Sequence, residues 1–341
     1  MFHRSVCRPA ARPVALAVLA ALALTACGGG DDGDDGNSAE PGITLAGRVA
    51  AATATAQTNP QCAQTDIGPF YWEVGDRDGV RASGSVGAGA PGASTEMAVY
   101  SASKWLYAAW VAQARGLRDD DVPYLNFTSG YTRFGPPLCL TAGSVAECGD
   151  SAAIDPAAVG RYVYDSGHMQ VHAQTVLGLG AAGNADLAAA LNGALGVSGL
   201  GYSQPQLAAG VSTTAAAYAG FLRRLLRGEL TLADGLGSHK VCASPAHCAN
   251  ADAAPSTGDE TWNYSLGHWV EDDPVVGDHA FSSGGAGGFY PWINRDRTLY
   301  GIVARLDLSG EGAGYQSAQC GRLIRQAWVT GQTVTVSTPT P

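Results

Sequence analysis

Strand-forming runs lie towards the two ends of this chain and helix-forming runs fill the stretch between them. That order constrains the fold more than any single residue does. Tyr71 to Val80 reads as strand, turn and strand, with the turn marked by its Gly and Asp residues, and Arg81 to Val86 continues the second strand. Much later, Trp262 to Val270 alternates like a strand, Phe281 to Ile293 leads into another, and Leu299 to Leu306 is an apolar strand beyond the turn Asn294-Arg295-Asp296-Arg297. Between these groups, Trp105 to Arg115 reads as an amphipathic helix, with further helices over Met169 to Leu179, Ala185 to Leu195 and Thr213 to Arg227. Ser317 to Thr330 is a closing helix. If the first and last strands share one antiparallel sheet, the helices between them form an inserted subdomain. The expected class is α/β of the α+β kind, with one domain over 60–335 and a mainly helical subdomain at about 105–235.

The first sixty residues read differently. Arg4, Arg8 and Arg12 form a positive region, and Pro13 to Ala23 is apolar but too short to span a membrane. Leu24-Thr25-Ala26-Cys27 follows, in the manner of a bacterial lipobox, so 1–27 is expected to be an export signal with Cys27 as the lipidated residue. The Gly/Asp-rich stretch after it predicts a disordered tether over 28–59. The expected location is the cell envelope, facing the periplasm or the cell surface on a lipid anchor, with the outer membrane favoured because Gly28 stands where an inner-membrane retention signal would place aspartate. The formal charge of −10 and pI of about 5.0 speak against a nucleic-acid partner.

Beyond Cys7 and Cys27, six cysteines remain, an even number that suits disulfides in an exported chain. Short spacings favour Cys139–Cys148 and Cys242–Cys248, which leaves Cys62–Cys320 to tie the start of the domain to its end. No C-x-x-C pair occurs, so a structural zinc site is not expected. His168 and His172 stand at i and i+4, a spacing that can hold metal, but no third ligand accompanies them and a polar helix face is the expectation. No metal or cofactor is expected, and the chain is expected to be a monomer.

The chemistry concentrates at Ser101-Ala102-Ser103-Lys104, at the head of the first long apolar run. Positions three apart share a helix face, so the lysine amine can lie beside the serine hydroxyl. A desolvated lysine can take that hydroxyl's proton, whereas an arginine cannot act as a base. Lysine is scarce here: the only two are Lys104 and Lys240. Two other stretches stand in order behind it, Tyr164-Asp165-Ser166 and Ser283-Gly284-Gly285, and no Gly-x-Ser-x-Gly elbow competes with them.

This series resembles the three motifs of the penicillin-recognising serine hydrolases, namely Ser-x-x-Lys, Tyr-x-Asn and Lys/His-Thr/Ser-Gly. The group includes class C β-lactamases, D-alanyl-D-alanine carboxypeptidases, family VIII esterases and 6-aminohexanoate-dimer hydrolases. Thr128-Ser129-Gly130, Gln206 to Thr214 and Phe281 to Gly288 resemble supporting segments of the same group, and the likeness spans about residues 66–330. It implies a β-lactamase/transpeptidase-like fold, with Ser101 as nucleophile, Lys104 as base and Tyr164 as proton relay. It further implies an oxyanion hole from the backbone N–H groups of Ser101 and Ala286, and substrate contacts from Ser166, Ser283, Gly284 and Gly285. Tyr162, two residues before the relay, is expected to be core.

Two departures matter. Ser166 replaces the asparagine of the second motif, and Ser283 replaces the cation of the third, with Gly284 in the hydroxyl position. In penicillin-active members that cation and hydroxyl help hold the β-lactam carboxylate, so the expected substrate is an ester or amide with a less anionic acyl group. Arg305 could restore the charge, although a surface role is the expectation. His279, near the third motif, is expected to be a loop residue. The alternatives are a β-lactamase or carboxypeptidase-type activity, and a non-catalytic envelope binding protein.

Overall fold

The computed structural model describes residues 43–135, 139–255, 257–309 and 312–336. The expected signal, Cys27 and the first part of the tether lie outside them. The tether reading fails where the description begins: Leu45–Thr58 is a helix, α1, capped by Thr44, whose hydroxyl accepts from the Gly47 amide at 3.0 Å. Its alanines give it helix propensity, and Ala51, Ala52 and Ala56 are buried. Arg48 Nη1 donates to the Trp328 and Val329 carbonyls and so ties α1 to the last helix.

The strands then follow as β1 (Phe70–Asp76) and β2 (Val80–Val86). The longer helices of the middle are α2 (Ser103–Arg115), α3 (Gly167–Thr175), α4 (Asn184–Leu195) and α5 (Ala215–Leu226). The other strands of the main sheet are β3 (Val241–Cys242), β4 (Asn263–Ser265), β5 (His268–Glu271), β6 (Ala280–Ser282), β7 (Tyr290–Ile293) and β8 (Leu299–Ala304), short strands between pair in smaller sheets, and α6 (Ala313–Thr330) closes the chain. One eight-stranded sheet runs β2-β1-β8-β7-β6-β5-β4-β3, antiparallel throughout, so strands from both ends of the chain meet at β1 and β8. Tyr71 faces Ala304 and Asp76 faces Leu299 in that pairing. This is the α+β arrangement expected.

Two local expectations are corrected. Trp262 to Val270 is a hairpin rather than one strand, because Leu266 and Gly267 turn with φ of 42° and 80° while Ser265 pairs with His268. Gly267 is needed there, since a Cβ would lie 2.5 Å from the Lys104 carbonyl oxygen and 2.7 Å from Ala108. The helix α2 is not amphipathic in its setting: Ser103 to Ala112 are all buried. It packs along α4, and its Trp105 meets Phe221 of α5 and His268 of β5, which explains its nearly continuous apolar sequence.

The fold brings Cys62 to Cys320, Cys139 to Cys148 and Cys242 to Cys248 as disulfides, with Cα separations of 5.0, 4.3 and 6.0 Å. The first joins the segment before β1 to the middle of α6. No helix among the described residues is long and apolar enough to cross a membrane.

Candidate active site

The site begins with a forced turn of the backbone. Tyr100 sits at φ 44°, a conformation unfavourable for a side chain of its size, and a single 3-10 turn over Tyr100–Ala102 leads into α2. Three contacts hold this corner. The Ala102 amide donates to the Val99 carbonyl, Tyr218 Oη donates to the Ala102 carbonyl at 2.8 Å, and Ser103 Oγ accepts from the Val211 amide at 3.1 Å. Ser101 is thereby presented at the rim of a cavity of about 420 Å³, while Lys104, one turn on, is buried beneath it.

Lys104 Nζ lies 2.9 Å from Ser101 Oγ and donates to the Ala208 carbonyl at 3.0 Å. Among the described residues no carboxylate lies within ion-pair distance of it. Burial pushes its pKa down to about 7, opposed only by the more distant Asp165 carboxylate. A neutral amine has one lone pair. With one N–H given to Ala208, the lone pair can face the serine proton.

Tyr164 also lines the cavity beside Ser101. Burial pushes its pKa well above the ordinary phenol range, with the Ser101 contact opposing. Lys104 Nζ lies 4.7 Å from the centre of the Tyr164 ring. The two groups therefore divide the work: the phenol holds its proton near neutral pH, and the amine can release one. Tyr162 is buried in an aromatic cluster with Phe127 and Tyr264.

The glycine-rich turn after β6 closes the other side. Gly288 donates to the Gly285 carbonyl at 2.9 Å, which makes Ala286 a corner residue of that turn, on the cavity wall. Gly285 can be nothing larger, because a Cβ there would collide with the Val99 carbonyl oxygen just before the Tyr100–Ala102 turn. The Ser101 amide stands in the first turn of its 3-10 helix, where N–H groups have no intrahelical partner. Gly284 and Gly285 line the cavity; Ser283 does not, and its Oγ donates to the Ser101 carbonyl at 3.2 Å. Ser283 thus braces the turn that carries Ser101. Ser166 precedes α3, and the cavity wall does not include it.

Other expectations resolve into structure. Arg305 is buried, neither on the surface nor at the cavity. Its guanidinium donates to Ser317 Oγ at 2.9 Å, the Ile67 carbonyl at 2.5 Å, the Ala313 carbonyl at 3.0 Å, Gln316 Oε1 at 2.9 Å and Asp307 Oδ2 at 3.1 Å. Acceptors from several segments replace its water, and it packs under Gly288, where a Cβ would meet Nε at 2.6 Å. His168 bonds Ser129 Oγ at 2.6 Å and the Val163 carbonyl at 3.0 Å, and burial pushes its pKa down to about 4. His172 bonds Tyr107 Oη at 2.7 Å and Asp121 Oδ1 at 2.9 Å. Both histidines have their ring nitrogens engaged, and no metal-ligand cluster occurs among the described residues. His279 is exposed at a loop position.

Several contributors were missed in the sequence. The Ala208 carbonyl is one, and a backbone acceptor has no residue-type signature. Trp262, Trp269, Tyr290 and Tyr315 are others: they line the cavity from β4, β5, β7, α6 and their flanks. Behind them lies a buried ionic network. Glu260 takes both Nη groups of Arg322 at 3.1 and 2.7 Å, and Arg325 bonds Asp278 at 2.6 and 2.8 Å and Glu271 at 3.1 Å. The i, i+3 spacing of Arg322 and Arg325 on α6 was the one available signal.

No protein-family model matches the sequence, and no protein of curated function matches it significantly. Solved structures do resemble the fold. A β-lactamase from Mycobacterium bovis aligns with a TM-score of 0.53 and 17% identity, over 78% of this chain and 96% of that one. A hydrolase with promiscuous acyltransferase activity aligns at 0.54 and 15% identity, over 82% and 98%. A D-stereospecific amidohydrolase from Streptomyces aligns at 0.51 and 16%, over 85% and 100%. The chain therefore has the β-lactamase/transpeptidase-like fold.

Proposed function

We propose that this protein is a serine hydrolase that cleaves an ester or amide through an acyl-enzyme on Ser101. The observation that carries the reading is the buried Lys104 amine, 2.9 Å from Ser101 Oγ and free of any carboxylate partner among the described residues. A lysine so placed is poor as a structural cation and suited to accept a proton near neutral pH.

In the proposed course, Lys104 Nζ takes the Ser101 hydroxyl proton as Oγ bonds to the substrate carbonyl carbon. The carbonyl electron pair moves to oxygen, and the amides of Ser101 and Ala286 stabilise that oxyanion. As the tetrahedral adduct collapses, the bond to the leaving group breaks. Tyr164 gives its proton to the departing alcohol or amine and regains one from Lys104. Water then adds to the acyl carbonyl, its proton returns through the same two groups, and Ser101 Oγ leaves with a proton. Removing one oxyanion donor typically costs about 10²–10³ in rate.

A β-lactam or D-alanyl peptide carries a carboxylate. None of the described residues that line the cavity is a cation, and Arg305 is engaged elsewhere. This supports the ester or amide reading over the β-lactam one. We also propose export and a lipid anchor at Cys27, for which the three disulfides give indirect support, since such bonds persist in oxidising compartments.

The test is a fluorophosphonate adduct located by mass spectrometry. The expected result is one adduct on Ser101, lost in Ser101→Ala together with p-nitrophenyl acetate hydrolysis. An unlabelled folded protein whose hydrolysis survives Ser101→Ala would overturn the reading.

A further inference from the structure

The cavity wall has a composition that the catalytic groups do not explain. Four rings form a continuous arc that starts at the catalytic phenol. Tyr164 stacks on Trp269 with centroids 5.5 Å apart and planes at 19°. Trp269 meets Trp262 at 5.7 Å and 68°, and Trp262 meets Tyr315 at 6.1 Å and 61°. All four rings line the cavity. The polar handles of Trp262 and Tyr315 point elsewhere. Trp262 Nε1 donates to Glu260 Oε2 at 2.8 Å, and Tyr315 Oη donates to Glu260 Oε1 at 2.8 Å.

A single buried carboxylate, itself clamped by Arg322, thus takes the indole and phenol donors away from the cavity. Tyr290 does the same through Glu271, to which its hydroxyl donates at 2.5 Å. What Trp262, Tyr315 and Tyr290 leave for a ligand is ring carbon, held in place before anything binds. None of the described lining residues is charged. Such walls favour flat apolar groups, which gain ring–ring contact at little ordering cost, and give an anion nothing to offset its lost hydration.

We infer that the cavity selects substrates bearing an uncharged aromatic group next to the scissile carbonyl, with Glu260 as the positioning residue that locks Trp262 and Tyr315. This rests on the serine-hydrolase reading above. The volume of about 420 Å³ lies within the range of small-molecule sites.

The experiment compares kcat/KM for ethyl acetate, ethyl phenylacetate, benzyl acetate and monoethyl succinate, with the fluorophosphonate adduct on Ser101 measured in parallel. One or both aryl esters should exceed ethyl acetate by about tenfold or more, and the better one identifies the fragment that enters the arc. Monoethyl succinate should be the poorest. In Trp262→Leu, and in the milder Tyr315→Phe, the aryl-to-acetate ratio should fall through a rise in KM for the aryl ester. If Ser101 is labelled but neither aryl ester exceeds ethyl acetate, or the succinate ester matches them, the inference is overturned and the hydrolase reading stands. If Ser101 is unlabelled and no ester is turned over, both fall.

Discussion

Lys104 and Arg325 are equally buried, each about 2% exposed, yet the protein treats them in opposite ways. Burial works against both charges. Around Arg325, Asp278, Tyr290 and Glu271 outweigh it and hold the guanidinium well above its ordinary pKa. Around Lys104 the described residues place two neutral oxygens within bonding distance, Ser101 Oγ and the Ala208 carbonyl, and the amine falls to about 7. A compensated buried cation is a strut. An uncompensated one is a base in waiting, provided its residue type can lose a proton. The same α+β core thus holds rigidity and reactivity apart by where it places carboxylates.

The largest effect should come from removing the uncompensated cation. Lys104→Ala is expected to lower kcat/KM for a simple ester by about 10³–10⁴, the upper part of the general-base range. Stability should move the other way. The folded state releases this proton near pH 7 and the unfolded chain near 10.5, so the stability that depends on Lys104 rises with pH across that window and its charged form opposes folding below it. Lys104→Met, which keeps the stem volume, should therefore melt higher than the parent at pH 7 while remaining inactive. A melting temperature several degrees lower, or full activity in either variant, would dissolve the contrast with Arg325.

The contrast explains what could be read in advance. The meeting of Ser101, Lys104 and Tyr164 was legible because a three-residue spacing and the order of three short motifs are local facts. The sheet was legible because its period is local too. The compensation was not. Glu260, Glu271, Asp278, Arg322 and Arg325 meet through the pairing of β5 with β6 and the docking of α6, and apart from the i, i+3 spacing of the two arginines nothing in their own neighbourhoods marks them. Arg305 misled for the same reason, since the carbonyls of Ile67 and Ala313 that satisfy it are backbone atoms from distant segments. The α1 helix was hidden by the Gly/Asp composition of the residues before it, and the hairpin at Leu266-Gly267 by an alternation that continues through the turn.

Breaking the compensated side should cost nearly as much, but in a different observable. Arg325→Met leaves the Glu271 and Asp278 carboxylates with their main partner gone and is expected to lower unfolding free energy by about 3–5 kcal/mol, read from urea denaturation. Labelling of Ser101 in the fraction that remains folded should persist. A loss below about 1 kcal/mol would mean that the network is screened and that the two buried cations differ less than their partners suggest.

The smallest and sharpest test adjusts Lys104 without touching it. Asp165 is the one charge that opposes the depression of Lys104, from beyond ion-pair distance. Its Oδ1 accepts from the Gly167 amide at 2.7 Å, which the oxygen of an asparagine can also do, so Asp165→Asn should keep the start of α3. With the carboxylate gone, the ammonium loses the one charge among the described residues that favours it, and the neutral base persists to lower pH. The rising limb of kcat/KM, which reports the free enzyme's base, should then move to lower pH while its plateau changes little. An unmoved limb would separate Lys104 from the observed ionisation, and a limb moved to higher pH would show that Asp165 acts on the site through structure rather than charge.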